Sequence, residues 1–144
     1  MITYSFINLK GGVGKTTIST NTAYILASAG AKVLFIDNDK QGNASYFFNA
    51  KDKEITLADV FLNHDLDIQK AIYPARRMQE GFIDILPSNM TLLPLNMKHT
   101  EINTEDKTFI LKNALKPVED KYDFCIIDNA PDINFTVYNA LNCY

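Results

Sequence analysis

The stretch NLKGGVGKTT at residues 8–17 is the feature that most limits what this chain can fold into. A glycine-rich loop between a strand and a helix points several backbone N–H groups and the positive end of the helix dipole at one spot. The stretch is therefore typical of a phosphate site, with Lys15 on the β- and γ-phosphates and the Thr16 hydroxyl as a magnesium ligand. The loop departs from the usual template because Leu9 stands where a glycine is expected and because a second lysine, Lys10, precedes the glycines.

The residues around the loop predict a strand, a helix and a second strand, in that order. Residues 2–8 form a short apolar, β-branched and aromatic run, and residues 32–37 form a second, nearly continuous apolar run. Residues 16–29 have a helical period that ends at Gly30. The residues that share the predicted apolar face of this helix are Ile18, Thr22, Ile25, Leu26 and Ala29. The result is a βαβ unit.

The rest of the chain predicts more of the same architecture. Residues 82–86 and 122–128 are apolar runs that predict two further strands, and residues 57–62 predict a short helix. The residues of a second helical stripe are Leu111, Ala114, Leu115 and Val118. Continuous apolar strands indicate burial on both faces, so we expect an α/β fold of the P-loop NTPase type with a mostly parallel sheet and helices on both faces.

Some expectations concern boundaries rather than motifs. Residues 71–81 predict a loop, and residues 1–144 predict a single domain. A helix is expected after the last strand, where apolar surface would remain uncovered, so we expect the fold to be incomplete at its C-terminus.

Arg76 and Arg77 are expected on a solvated surface. The aromatic run of residues 46–48 is expected in the core or in a dimer contact, and an exposed patch there would indicate an interaction surface.

Composition excludes several classes of protein. Apolar residues make up 47% and charged residues 22%, as in ordinary soluble globular proteins. No apolar run approaches the length of about 20 residues that spans a bilayer, and the first residues do not have the pattern of a signal peptide, so we expect a cytoplasmic protein without a membrane partner. A net charge of −3 argues against a general electrostatic footprint for DNA on these residues.

Carboxylates follow two of the predicted strands. Asp37 and Asp39 come after the second strand, and Asp128 ends the last one. Because carboxyl ends of parallel strands meet at one edge of a sheet, these side chains are expected near the phosphate loop, where magnesium needs oxygen ligands. The alternative is that each aspartate caps the turn that follows it.

Three segments together carry a resemblance to a known family. KGGVGKTT at 10–17, DNDKQGNAS at 37–45 and IIDNAPD at 126–132 resemble the ParA/Soj-type partition ATPases, part of the deviant Walker A group of P-loop proteins. This group accepts a residue other than glycine at the position of Leu9. It also has a signature lysine, matched by Lys10, which reaches across a nucleotide-sandwich dimer to the phosphates of the partner.

The resemblance implies a cofactor set and a role for each matching residue. The cofactors are ATP and Mg²⁺. Lys10, Lys15 and Asp39 would serve catalysis, with Asp39 orienting the attacking water. Thr16 and Asp128 would hold magnesium directly or through water, and Asp37 would join them or support the loop. The residues expected along the nucleotide are Lys10, Gly11, Gly12, Val13, Gly14, Lys15, Thr16 and Thr17.

The function implied is plasmid or chromosome segregation by an ATP-binding and ATP-hydrolysing partition protein. Its expected partners are a second copy in an ATP-dependent dimer, a centromere-binding protein, and nucleoid DNA through the part of the family that lies beyond these residues. Two departures, Lys40 for a usual proline and Asn129-Ala130 for a pair such as threonine-proline, predict a more mobile loop around Asp39.

Three alternatives stay open. A Min-type cell-division ATPase would need an amphipathic membrane helix, and an iron–sulfur assembly ATPase would need a CxxC motif, and neither is found in the sequence. The third alternative is a fragment that binds nucleotide or a partner without hydrolysis.

Overall fold

Five strands form one sheet in the computed structural model, which describes residues 1–12, 14–98 and 105–144. The strands are β1 (Ile2–Phe6), β2 (Lys32–Asn38), β3 (Tyr73–Arg77), β4 (Phe82–Leu86) and β5 (Phe124–Asn129). Their order across the sheet is β1-β5-β2-β4-β3. The first four strands in this order are mutually parallel, and β3 pairs antiparallel with β4 at one edge. The mostly parallel sheet is thus confirmed.

Helices connect the strands and cover both faces of the sheet. They are α1 (Lys15–Ser28), α2 (Asn43–Phe47), α3 (Leu57–Leu62), α4 (Leu92–Lys98), α5 (Ile110–Leu115) and α6 (Phe135–Leu141). Short 3₁₀ helices lie at Ile68–Ala71, Glu105–Phe109 and Lys116–Lys121. Within the described ranges, no helix has the length and apolar character needed to cross a membrane.

The central strand β2 shows why its sequence is continuously apolar. All residues from 33 to 38 are buried. Val33 and Phe35 pack on one face with α1, whereas Leu34 and Ile36 pack on the other with α3 and α5. A strand covered on both faces has no solvent side, so it does not alternate.

The prediction of a loop over residues 71–81 is wrong, because β3 (Tyr73–Arg77) lies within that segment. Tyr73 pairs with Ile85, and the register shifts between Pro74 and Arg76. Proline, arginine and a bulge are tolerated at the edge of a sheet, where one side of the strand makes no ladder hydrogen bonds. Because proline and arginine interrupt the apolar pattern, the segment does not look like a strand in the sequence.

The prediction for the buried face of α1 is also wrong. Ile18 and Ile25 are 55% and 70% exposed. The buried residues of this helix are Ser19, Thr20, Ala23 and Ala27. Small side chains let the helix lie close to the sheet, and the Ser19 and Thr20 hydroxyls both donate to the Thr16 carbonyl oxygen, at 3.0 and 2.8 Å, so neither is buried without a partner.

Side-chain packing also changes two surface expectations. Arg76 is only partly exposed, because its Nε donates to the Tyr24 hydroxyl at 2.6 Å and its guanidinium lies over the Phe48 ring. Arg77 is exposed, as expected. Phe48 is in the core as expected, but Tyr46 and Phe47 are 74% and 48% exposed. The aromatic run therefore divides between the core and the surface.

The packing of α1 predicts opposite outcomes for two substitutions. Ala23→Leu should lower the free energy of unfolding by about 1–3 kcal/mol because it overpacks a filled contact with the sheet. Ile25→Ala should change it by less than about 0.5 kcal/mol because that side chain lies in solvent. Denaturant unfolding followed by circular dichroism measures both, and a larger loss for Ile25→Ala would contradict this packing.

Candidate functional site

A cavity of about 830 Å³ opens at the carboxyl edge of the parallel strands. Its walls come from the glycine loop after β1, from residues 38–43 after β2 and from residues 130–134 after β5, with α4 on one side. The sheet register explains this convergence, since Phe6 at the end of β1 and Asp37 near the end of β2 both lie opposite Asp128 of β5. Three segments distant in sequence therefore share one site.

The glycine loop needs glycine at two of its described positions. Gly12 and Gly14 have φ values of 72° and 84°, in the left-handed region that other residues avoid. Gly14 is also the N-cap of α1, and the first turn of that helix contains no acidic residue of its own that could take the place of a bound anion. A Cβ on Gly11 would meet only Pro131 Cγ, at an ordinary 3.8 Å.

One carboxylate holds the two functional side chains of the loop. Lys15 Nζ donates to Asp128 Oδ1 at 2.6 Å, and Thr16 Oγ1 donates to Asp128 Oδ2 at 2.7 Å. Asp128 is fully buried, and the Lys15 side chain is 12% exposed. A buried carboxylate is stable when its charge is paired and its oxygens are hydrogen-bonded, and this arrangement meets both conditions.

Asp39 and Lys10 both line the cavity, Asp39 from the segment after β2 and Lys10 from the loop after β1. Asp39 Oδ1 accepts the N–H of Gln41 at 3.0 Å, in the turn that connects β2 to α2. The Lys10 side chain is exposed, while its backbone N–H donates to Asn8 Oδ1 at 2.9 Å. The loop thus fixes the backbone of Lys10 and leaves its ammonium group in solvent.

Asp37 is placed differently from the other carboxylates. Its Oδ2 accepts the Ser45 N–H at 2.8 Å and the Ser45 hydroxyl at 2.6 Å, and its Oδ1 accepts the Asp39 N–H at 3.2 Å. Both oxygens therefore bind the segment that carries Asp39. Burial raises the pKa of Asp37 from 3.8 to about 7; the Ser45 hydrogen bonds oppose this shift, and the charges of Asp128 and Asp39 add to it.

The structure brings most of the predicted site residues to one place. Those that line the cavity are Lys10, Gly11, Gly12, Gly14, Lys15, Thr16, Thr17 and Asp39. Asp128 lies beneath Lys15 and Thr16, Asp37 lies behind the Asp39 turn, and Val13 is outside the described residues. Over the described ranges, no group of three or more His, Cys, Asp or Glu could hold a metal, so Thr16 and Asp128 fit Mg²⁺ only together with phosphate and water oxygens.

Sequence reasoning missed the α4 wall of the cavity and the two asparagines that end β2 and β5. Leu93, Asn96 and Met97 of α4 line the cavity, although no motif marks them. Asn38 and Asn129 end β2 and β5 and are hydrogen-bonded to each other at 2.8 Å. The one available signal was their position, since each is adjacent to an aspartate at the end of a buried strand.

The chain matches known proteins over nearly its whole length. The model of the AAA domain family matches residues 1–143. The chromosome partitioning protein ParA of Myxococcus xanthus is 35% identical over 136 residues, which are 93% of this chain and 46% of that protein. The chain therefore spans about half the length of this relative.

Solved structures agree with the sequence match. A putative plasmid partition protein of Borrelia burgdorferi bound to AMPPNP has a TM-score of 0.82 and 30% identity, covering 99% of this chain and 59% of that one. A cobyrinic acid a,c-diamide synthase of Mycobacterium smegmatis with bound ATP analog and magnesium has a TM-score of 0.83 and 27% identity, covering 99% and 57%.

Asp37 gives the folded state a specific pH dependence. Because its pKa is raised above the unfolded value, the folded state binds the extra proton, so this contribution is full below pH 3.8 and is lost as the pH rises through about 7. Asp37→Asn should flatten the fall in unfolding free energy over this window, whereas the exposed Asp132→Asn should not. Denaturant unfolding at several pH values measures the slope, and an unchanged slope in Asp37→Asn would contradict the raised pKa.

Proposed function

Because this chain belongs to the AAA domain family, we propose that it binds ATP with Mg²⁺ and hydrolyses it as part of a ParA-type partition protein. The observation that carries the proposal is the double hydrogen bond from Lys15 and Thr16 to the buried Asp128. That contact places a cation, a hydroxyl and a carboxylate at the mouth of a glycine loop. These are the groups that bind the phosphate tail and the metal of a nucleoside triphosphate.

The nucleotide-binding step uses the loop and α1. Backbone N–H groups of the loop and of the first turn of α1 bind phosphate oxygens, and the ammonium of Lys15 neutralises the β- and γ-phosphates. Thr16 and Asp128 hold Mg²⁺ directly or through water, and the metal, when bound, offsets charge on the phosphates. Asp37 supports this site through the turn that carries Asp39 rather than through the metal.

The hydrolysis step uses Asp39 and Lys10. Asp39 orients the attacking water, a role supported by its place in the cavity lining after β2. The exposed Lys10 reaches the phosphates bound by a second copy, so that turnover depends on an ATP-dependent sandwich dimer. A cation from another subunit stabilises charge in the transition state only when both subunits are in place.

The cellular role is segregation of a plasmid or chromosome in the cytoplasm, at the nucleoid. The partners are a second copy of the chain, a centromere-binding protein, and DNA. The net charge of −3 supports assigning DNA contacts to the half of the relatives that this chain does not match. A second candidate, nucleotide binding without turnover, is favoured by Lys40, which stands in the turn that carries Asp39 where the family usually has a stiffening proline.

The role of Lys15 is tested by removing its charge. Lys15→Ala should abolish detectable binding of ATP·Mg²⁺ in isothermal titration, because it removes the cation that neutralises the phosphates bound by its own loop. The matched control is Lys32→Ala, which removes an exposed lysine at the opposite end of β2 and should bind like the wild type. Wild-type affinity in Lys15→Ala would mean that this loop is not the site.

The role of Lys10 is tested by phosphate release. Lys10→Ala should keep the affinity for ATP and lower turnover by about 10³-fold, since it loses a cation that acts in the transition state. Release by the wild type should rise with the square of the protein concentration. Turnover that is unchanged in Lys10→Ala would refute its action across a dimer, and binding with no release at any concentration would favour the second candidate.

A further inference from the structure

Two buried asparagines join the ends of the strands that carry the site. Asn38 and Asn129 are the last residues of β2 and β5, lie opposite each other in the register and are 1% and 0% exposed. Asn38 Nδ2 donates to Asn129 Oδ1 at 2.8 Å. Asp39 follows Asn38 in the chain, and Asp128 precedes Asn129. The amide pair therefore connects the two carboxylates that the proposed hydrolysis uses.

The orientation of both amides is fixed by their other partners. Asn38 Nδ2 also donates to the Thr136 carbonyl oxygen at 3.0 Å. Asn129 Nδ2 donates to the Ser5 hydroxyl at 2.8 Å and to the Phe6 carbonyl oxygen at 3.0 Å. Carbonyl oxygens only accept hydrogen bonds, so reversing either amide would set oxygen against oxygen. The network has one arrangement.

Each segment that lines the cavity lies next in the chain to a residue of this hydrogen-bond network. Phe6 ends β1 just before the glycine loop, and Thr136 lies in the first turn of α6, just after residues 130–134. The Thr136 N–H in turn donates at 3.1 Å to Oδ1 of Asn96, which stands on the α4 wall. A displacement of one strand end would therefore displace the other strand ends through these hydrogen bonds.

Stability alone does not explain why two buried amides occupy this position. Among the described residues, none donates a hydrogen bond to Asn38 Oδ1, which is buried. An acceptor left in this state costs free energy that two apolar side chains of similar size would avoid. The amides instead fix how the two strand ends are placed, because a hydrogen bond sets the distance and angle between its two groups and an apolar contact does not.

We propose that Asn38 and Asn129 are positioning residues that hold the Asp39 turn and the Asp128 strand end at a fixed separation. The backbone adds one bond to this link, from the Ala130 N–H to the Asn38 carbonyl oxygen at 3.0 Å. The pair gives order to a turn that has Lys40 in place of a stiffening proline. The consequence for turnover rests on the proposed function, whereas the consequence for loop order does not.

Amide hydrogen exchange tests the positioning directly. In Asn38→Ala and Asn129→Ala, exchange over residues 39–42 and 130–134 should quicken by about tenfold or more, since local opening no longer breaks the network. The matched control is Asn139→Ala, which removes another buried asparagine whose Nδ2 donates to the Lys107 and Phe135 carbonyl oxygens instead. Exchange that stays at the wild-type rate, or quickens equally in the control, overturns the proposal.

Steady-state kinetics tests the consequence for the reaction. Each single variant should lower kcat by about tenfold to a hundredfold, because small misplacements of catalytic groups are costly. Asn38→Ala should leave the Kd for ATP·Mg²⁺ within about threefold, because Asn129 keeps its hydrogen bonds to Ser5 and Phe6 and Asp128 stays in place. The double variant should lose little more than either single variant, since one link is broken in each case. Asn139→Ala should lower Tm without changing kcat.

Two outcomes separate this proposal from the proposed function. A folded Asn38→Ala with wild-type kcat overturns the positioning role and leaves the proposed function standing. A wild type that neither binds ATP nor releases phosphate refutes the proposed function, and the exchange comparison still decides whether the amide pair orders the two loops. If Asn38→Ala does not fold, Asn129→Ser, a smaller polar substitution, replaces it in both measurements.

Discussion

The contact of Asp128 with Lys15 and Thr16 is the interaction on which the site depends. A lysine and a hydroxyl from the start of α1 meet a carboxylate that lies 113 and 112 residues later in the chain. Leaving a buried charge without its partner typically costs about 3–5 kcal/mol, so the contact constrains where α1 can sit on the sheet. The same three groups are those that a phosphate tail and its metal require. Stability and binding thus use one set of atoms.

The parallel sheet makes this contact possible. Because β1, β5 and β2 run in the same direction, the segments that follow them leave from one edge. The glycine loop, the Asp39 turn and residues 130–134 then surround a single cavity. Asp37 and the asparagine pair lie at the ends of β2 and β5, where their hydrogen bonds join these segments to the sheet. The hydrogen bonds between Asn38 and Asn129 and between Asp37 and Ser45 all join buried residues.

Where the sequence was misread, the cause was tertiary contact. The face of α1 with the larger apolar residues was expected inside, yet Ala23 and Ala27 face the sheet because a close approach favours small side chains. Arg76 was expected in solvent, but stacking on Phe48 and a bond to Tyr24 retain it at the surface of the core. The strand over residues 73–77 escaped notice because an edge strand needs no continuous apolar run.

The sequence alone determined the elements whose information is local. The glycine loop, the buried strands β2, β4 and β5, and the resemblance to partition ATPases were each contained in runs of ten residues or fewer, since burial on both faces and left-handed φ values constrain residue type directly. Only the tertiary structure decided which face of α1 is buried, that Asp37 binds Ser45, and that Asn38 pairs with Asn129. The physical reason is range: the paired asparagines are 91 residues apart, and nothing in either local segment specifies the other.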